Sequence, residues 1–185
     1  MTTEARFKLA LREMMQSKPL SEINVTALCD KLSCHRQTFY YHYQDLYDLL
    51  ASVYLNETVP GLDKAKDLSE TLEALLEYAI KNFAFLRSTY QSAAADLADG
   101  FFYNKIITKM LSFYSPHTSS GMTKVFYRNV CRRFASNVSH EFGYWFVQPE
   151  MTPVKLERAM SHYLQAANDV LYPAFITLGK EEKKR

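Results

Sequence analysis

The apolar positions of this chain fall into a succession of helical stripes separated by polar turns. Phe7, Ala10, Leu11, Met14 and Met15 recur at helical spacing and predict a first helix over about residues 3–17. Pro19 ends it, because the residue before a proline is pushed out of the α region. Asn24 is a good N-cap for a short second helix, in which Val25, Leu28, Cys29 and Leu32 repeat at i, i+3, i+4 and i+7. Ile23 before the cap and Leu28 after it fit a hydrophobic staple. After the tight connection "LSCH", a third short helix is predicted over about 35–42 and a fourth, starting at Asp45, over about 45–59.

Further along, the pattern predicts helices near 68–82, 83–92 and 97–114, broken at Asn82 and at the "ADG" of 98–100, with "SPHTSSG" as a loop. A long helix of about 122–147 carries Phe126, Val130, Phe134, Val138, Phe142 and Phe146, spaced by four. Pro149 and Pro153 interrupt, and a last helix runs to about Leu178 with the stripe Leu156, Met160, Tyr163, Leu164, Ala167, Val170 and Leu171. Nine helices, only five Gly and six Pro, and few β-branched runs point to an all-α protein. Its expected organisation is a helix-turn-helix domain over residues 1–50, with the start of the connecting helix 45–59, and a larger helical domain over 51–185.

Composition narrows the class. A chain of 185 residues with 48% hydrophobic and 23% charged positions has enough apolar surface for a real core and is unlike a disordered chain. The net charge of +2 does not by itself announce a nucleic-acid binder. Within residues 1–50, Arg6, Lys8, Arg12, Lys18, Lys31 and Arg36 are balanced by Glu4, Glu13, Glu22, Asp30, Asp45 and Asp48. Any contact with DNA made there rests on geometry and hydrogen bonding. Cys29, Cys34 and Cys131 form no CxxC pattern, and an odd set of thiols without a signal peptide reads as reduced and cytoplasmic. No apolar run approaches about 18 residues, so no membrane span or membrane partner is expected. The tail "GKEEKKR" reads as a solvated end.

The chemistry concentrates in "CHRQTFYYHY", residues 34–43. Two short helices joined by a tight turn and braced by longer ones make a helix-turn-helix, whose second member lies in the major groove of duplex DNA. On a helical wheel Phe39 and Tyr43 share the inward edge, Gln37 and Tyr41 point the opposite way, and Thr38 and Tyr40 lie on the shoulders. Arg36 suits guanine or phosphate, Gln37 suits adenine, and the Thr38 methyl suits thymine. Tyr40, Tyr41 and His42 can donate to phosphate oxygens without a formal charge.

The run "INVTALCDKLSCHRQTFYYHYQDLYDLL" resembles the DNA-binding segment of the TetR family of bacterial transcriptional regulators. Members carry a threonine, then Leu or Phe, then Tyr-x-His-Phe in the recognition helix; the run here is "TFYYHY". Within the family, "TFYYHYQDLYDLL" and the late "FGYWF" are similar to the subgroup of dihydroxyacetone-kinase operon regulators. The resemblance implies a DNA-binding domain on a larger helical domain that dimerises and binds a small effector. Two departures stand out: Leu32-Ser33 where relatives often have Ala-Gly, and His35 where they often have Ser. Ser33 is the candidate cap in its place, and Thr26 occupies a position where relatives often place a DNA-contacting Arg. The candidate DNA-binding set is therefore Thr26, His35, Arg36, Gln37, Thr38, Tyr40, Tyr41 and His42.

The last two amphipathic helices are expected to pair with their copies in a homodimer. Two recognition helices would then face successive major grooves roughly 34 Å apart, which favours a palindromic operator. Tyr78, Phe85, Tyr90, Phe102, Tyr103, Phe113 and His117 are candidate effector-pocket residues, although core packing accounts for most of these rings equally well.

An enzyme finds little support. There is no Walker loop, no GxSxG and no HExxH; adjacent Cys34 and His35 do not share a helix face as metal ligands, and no cofactor or metal is implied. Cys131, among Arg128, Arg132 and Arg133, reads as a packed, inert cysteine, with a lowered thiol pKa as the rival reading. The alternative function is an interaction subunit of the same fold, acting mainly through a protein partner.

Overall fold

The computed structural model describes residues 1–115 and 123–182, and every regular element among them is helical. In chain order these are α1 (Thr3–Met15), α2 (Val25–Leu32), α3 (Arg36–His42), α4 (Leu46–Leu55), α5 (Leu68–Lys81), α6 (Phe83–Tyr90), α7 (Ala95–Ser112), α8 (Lys124–Phe146), α9 (Pro153–Ala166) and α10 (Tyr172–Glu182). The π turn Ala167–Leu171 joins α9 and α10 into one continuous rod, so the described residues form nine rods. The all-α expectation holds.

Packing divides the chain into two units: Met1–Thr58 with Asn82–Ala98, and Val59–Lys81 with Asp99–Arg185. In the first, the starts of three helices are fixed by side-chain caps: Thr2 accepts from the Ala5 N–H, Asn24 from Ala27 and Asp45 from Asp48. Asp48 returns the favour by accepting from the Gln44 N–H, which satisfies a second donor at the same end. The core gathers Phe7, Leu11, Leu28, Phe39, Leu49 and Leu50, all sealed from solvent. α6 packs on α1. There Arg12 lies 4.6 Å over the Phe85 ring, bonds Glu57 at 2.6 Å and donates to Asn82 at 2.5 Å.

In the second unit α9 packs on α5 and α10 on α8. Val130, Phe134, Val138, Phe142 and Phe146 form the inward column of α8, and Phe142 stacks on Phe102 at 4.2 Å. Phe126, the first member of the predicted column, is only half-buried. Pro173 sits inside the last rod, with no N–H for the carbonyl one turn back and a ring that crowds it. The π turn immediately before it absorbs this conflict: the Tyr172 N–H bonds Ala167 O, five residues back, and the widened turn makes room for the ring.

Two predicted boundaries move. No break occurs at 98–100: α7 begins at Ala95 and runs through Asp99 and Gly100. The break lies at 91–94, where the Ser92 hydroxyl donates to Thr89 O at 2.7 Å and accepts from the Ala94 N–H at 3.1 Å. A lone glycine inside a helix costs only about 1 kcal/mol against alanine, so Gly100 did not stop it. The fourth helix ends at Leu55 rather than near 59, with Asn56 Nδ2 donating to Ser52 O at 2.8 Å and Gly61 turning the chain at φ 84°.

Candidate nucleic-acid interface

Apolar anchoring from one side positions α2 and α3. Phe39 meets Phe7 edge-on at 5.5 Å, and Tyr43 meets the same ring at 6.2 Å. Phe39 is fully buried and Tyr43 nearly so, as the helical wheel requires. With that edge held, the opposite face is fixed outward: Gln37 is exposed, and Tyr41 is 85% exposed.

The turn before α3 is a helix C-terminal cap. Ser33 adopts the left-handed conformation at φ 51°, ψ 49°. The Ser33 N–H bonds Asp30 O at 3.1 Å, and the Cys34 N–H bonds Cys29 O at 3.0 Å. This pair of bonds is a Schellman motif, which satisfies two carbonyls that α2 leaves open. Arg6 supplies a third bond, from Nη2 to Leu32 O at 3.0 Å. Ser33 was expected to cap the recognition helix; instead it ends α2. The residue at the N-cap of α3 is His35, exposed and without a side-chain capping bond.

The remaining candidates take distinct places. Thr26 is exposed on α2, and Thr38 is half-buried on α3. Tyr40 is half-exposed, and its hydroxyl accepts from Arg36 Nη2 at 3.4 Å. The Arg36 guanidinium lies 5.8 Å from the same ring, and this hydrogen bond raises its already high pKa. His42 turns toward α1, with Nδ1 3.5 Å from Glu4 and its ring 5.0 Å from Tyr41. Gln37, Thr38, Tyr40 and Tyr41 thus lie together on one short helix, while His42 faces a neighbour. Sequence reasoning missed Arg6 and the Lys31–Glu13 pair at 3.0 Å. Their partners are remote in sequence, so local patterning carries no signal for them.

Of the described aromatic residues named for an effector pocket, two belong to the first unit and four to the second. Phe85 and Tyr90 are buried in the first unit, Phe85 against Tyr54 at 5.4 Å. In the second unit Tyr78 packs on Phe101 at 5.3 Å, and Phe102 is sealed beneath Phe142. Tyr103 and Phe113 are half-buried, and Lys109 Nζ lies 5.4 Å over the Phe113 ring. His117 lies outside the described residues. A separate open cleft of about 420 Å³ lies between α5 and the last rod, lined by Ser69, Leu72, Glu73, Ser161, Gln165 and Asn168 among others. The polar positions 161, 165 and 168 repeat at helical spacing, a sequence signal that could have marked this face as wettable and was missed.

Burial also decides the Cys131 question. The residue is fully buried, and desolvation pushes its thiol up to about 11, the direction of an inert cysteine.

These elements define a class: an all-α fold with a helix-turn-helix near its N-terminus. No family model matches the chain, and no curated protein matches it. Among solved structures it is similar to the dihydroxyacetone kinase operon activator DhaS, with a TM-score of 0.61 and 19% identity over 89% of this chain and 94% of that one. At that identity the likeness shows the fold. Among the described residues, no helix is long and apolar enough to cross a membrane.

Proposed function

We propose that this protein is a TetR-like transcriptional regulator that binds a palindromic operator as a homodimer. The supporting observation is the two-faced α3: Phe39 sealed at 0% exposure, and Tyr41 on the other side at 85%. A helix held that rigidly, with an amide, a hydroxyl and phenols turned outward, has the chemistry of base-edge and phosphate contact without a surplus of positive charge. In this reading Gln37 reads a base, Thr38 meets a thymine methyl, and Arg36, Tyr40 and Tyr41 contact phosphates, with Thr26 and His35 at the flanks. His42, turned toward Glu4, reaches phosphate only by giving up that partner.

The dimer forms through the last two rods. The aromatic column of α8 does not supply the contact surface, since it is buried within the second unit. Among the described residues of this region, the large apolar side chains left outside are Val125, Tyr144, Val147, Val154, Val170 and Leu178, and these support the pairing. A small effector modulates DNA affinity by binding the competent and incompetent conformations unequally. Half-buried Tyr103 and Phe113 and the cleft beside α5 support a site in the second unit.

A second reading, an interaction subunit with weak DNA binding of its own, is favoured by one observation. Four of the six basic residues in the N-terminal segment have partners within the chain: Arg6 on Leu32 O, Arg12 on Glu57, Lys31 on Glu13 and Arg36 on the Tyr40 hydroxyl. Fluorescence anisotropy of the purified protein on DNA upstream of its own gene, at two salt concentrations, separates the two. A regulator gives a sequence-specific complex whose affinity falls steeply with salt. Absence of a complex at micromolar protein favours the subunit.

A further inference from the structure

The Schellman motif that ends α2 places a cysteine at each end of its outer hydrogen bond. Cys29 provides the carbonyl, and Cys34 provides the N–H, at 3.0 Å. In this motif the two residues so joined also bring their side chains together, usually as an apolar contact. Here both side chains are thiols, so the motif places two sulfur-bearing side chains beside each other. Cys29 is buried, whereas Cys34 is half-exposed, and both are free. The pair sits at a mechanically sensitive place: Ser33 between them holds a left-handed φ of 51°, and Arg36, two residues on, begins α3.

We propose that Cys29 and Cys34 are a redox modification site, in which peroxide closes a disulfide across the helix-turn-helix and lowers affinity for DNA. The DNA half of this statement rests on the function proposed above; the disulfide half does not.

The chemistry balances with peroxide as the oxidant. The Cys34 sulfur attacks one peroxide oxygen, the O–O bond breaks, and water leaves with Cys34 as a sulfenic acid. The Cys29 sulfur then attacks the Cys34 sulfur, the S–O bond breaks, and the departing hydroxide takes the Cys29 proton as a second water. Two thiols have lost two hydrogens, and one peroxide has become two waters. Burial, followed by the contact with Cys34, pushes the Cys29 thiol up to about 11, so Cys34 meets the oxidant and Cys29 resolves it. Closing the bond fixes the sulfurs about 2.05 Å apart. The backbone at 33–35 must follow, and with it the N-terminal end of the helix that presents Arg36 and Gln37.

The test uses the full chain. After hydrogen peroxide treatment and alkylation without reduction, peptide mapping should show Cys29 joined to Cys34 and Cys131 alkylated. Cys131→Ser should give the same linkage, and Cys34→Ser should give none. A Cys34 that runs on to sulfinic acid, or a disulfide joining two chains, would overturn the pair. Oxidised and reduced Cys131→Ser protein are then titrated on one DNA fragment. The Kd should rise about tenfold on oxidation, the scale of losing one hydrogen bond to a charged phosphate, and dithiothreitol should restore it. Equal affinity in the two redox states overturns the switch. If the reduced protein binds no DNA at all, the proposed function has failed, and the peptide map alone decides whether the thiols pair.

Discussion

Gln37 and Tyr40 lie one helical turn apart on α3 and are assigned different work. Tyr40→Phe removes the proposed phosphate donor and also the oxygen that accepts from Arg36. It is expected to weaken binding to every operator alike, by about 1 kcal/mol. Gln37→Ala should cost about 1–3 kcal/mol on the preferred sequence and relax the preference at a single base pair. Binding selections with the two variants check this, and identical profiles would remove base readout from Gln37. The wheel made the inward pair Phe39 and Tyr43 legible, and also the outward pair Gln37 and Tyr41, because a seven-residue helix with one anchored edge has no freedom to roll. The Arg36–Tyr40 and His42–Glu4 contacts were not legible. Which rotamer a long polar side chain takes depends on neighbours that periodicity does not place.

The turn between α2 and α3 is an element whose sequence is locally unfavourable. Left-handed backbone costs an L-residue roughly 1–2 kcal/mol, and Ser33 carries that cost. Ser33→Gly is therefore expected to stabilise the protein by about 1 kcal/mol in urea denaturation, with Ser33→Ala neutral or worse. A Ser33→Gly variant no more stable than the parent would show that the turn is strained for another reason. The connection "LSCH" announced a turn but not its type, because serine serves equally as an N-cap and as a tolerated left-handed residue. Local backbone bonds to the Cys29 and Asp30 carbonyls decided it. Helix ends elsewhere followed the same logic. Asn24 and Asp45 cap as read, whereas the glycine at 100 gave a false stop because a long helix on either side outweighs one weak residue.

At the scale of the whole molecule, periodicity identified which faces are apolar but not what covers them. Nothing local distinguishes α6, which joins the N-terminal helices, from α5, which joins the C-terminal ones. The α8 column looked like surplus apolar surface for a partner, and it is instead filled by Phe102 and Tyr172 from the same unit. The proposed dimerisation then depends on side chains at the margin. Size-exclusion chromatography with light scattering should give a dimer for the parent, and Val154→Glu with Val170→Glu should give a monomer of unchanged helix content. These residues are 74% and 67% exposed, so the charges do not enter a core. A parent that is monomeric at micromolar concentration would end the homodimer proposal. The π turn ahead of Pro173 has a further effect on the last rod. The surplus residue it holds re-phases everything downstream; ahead of it α9 packs on α5 and α8, and beyond it α10 packs on α8. Shortening that turn by one position would swing Tyr172 through roughly 100° and off the Phe134 ring it now abuts, so this helix serves two neighbours only at its present length.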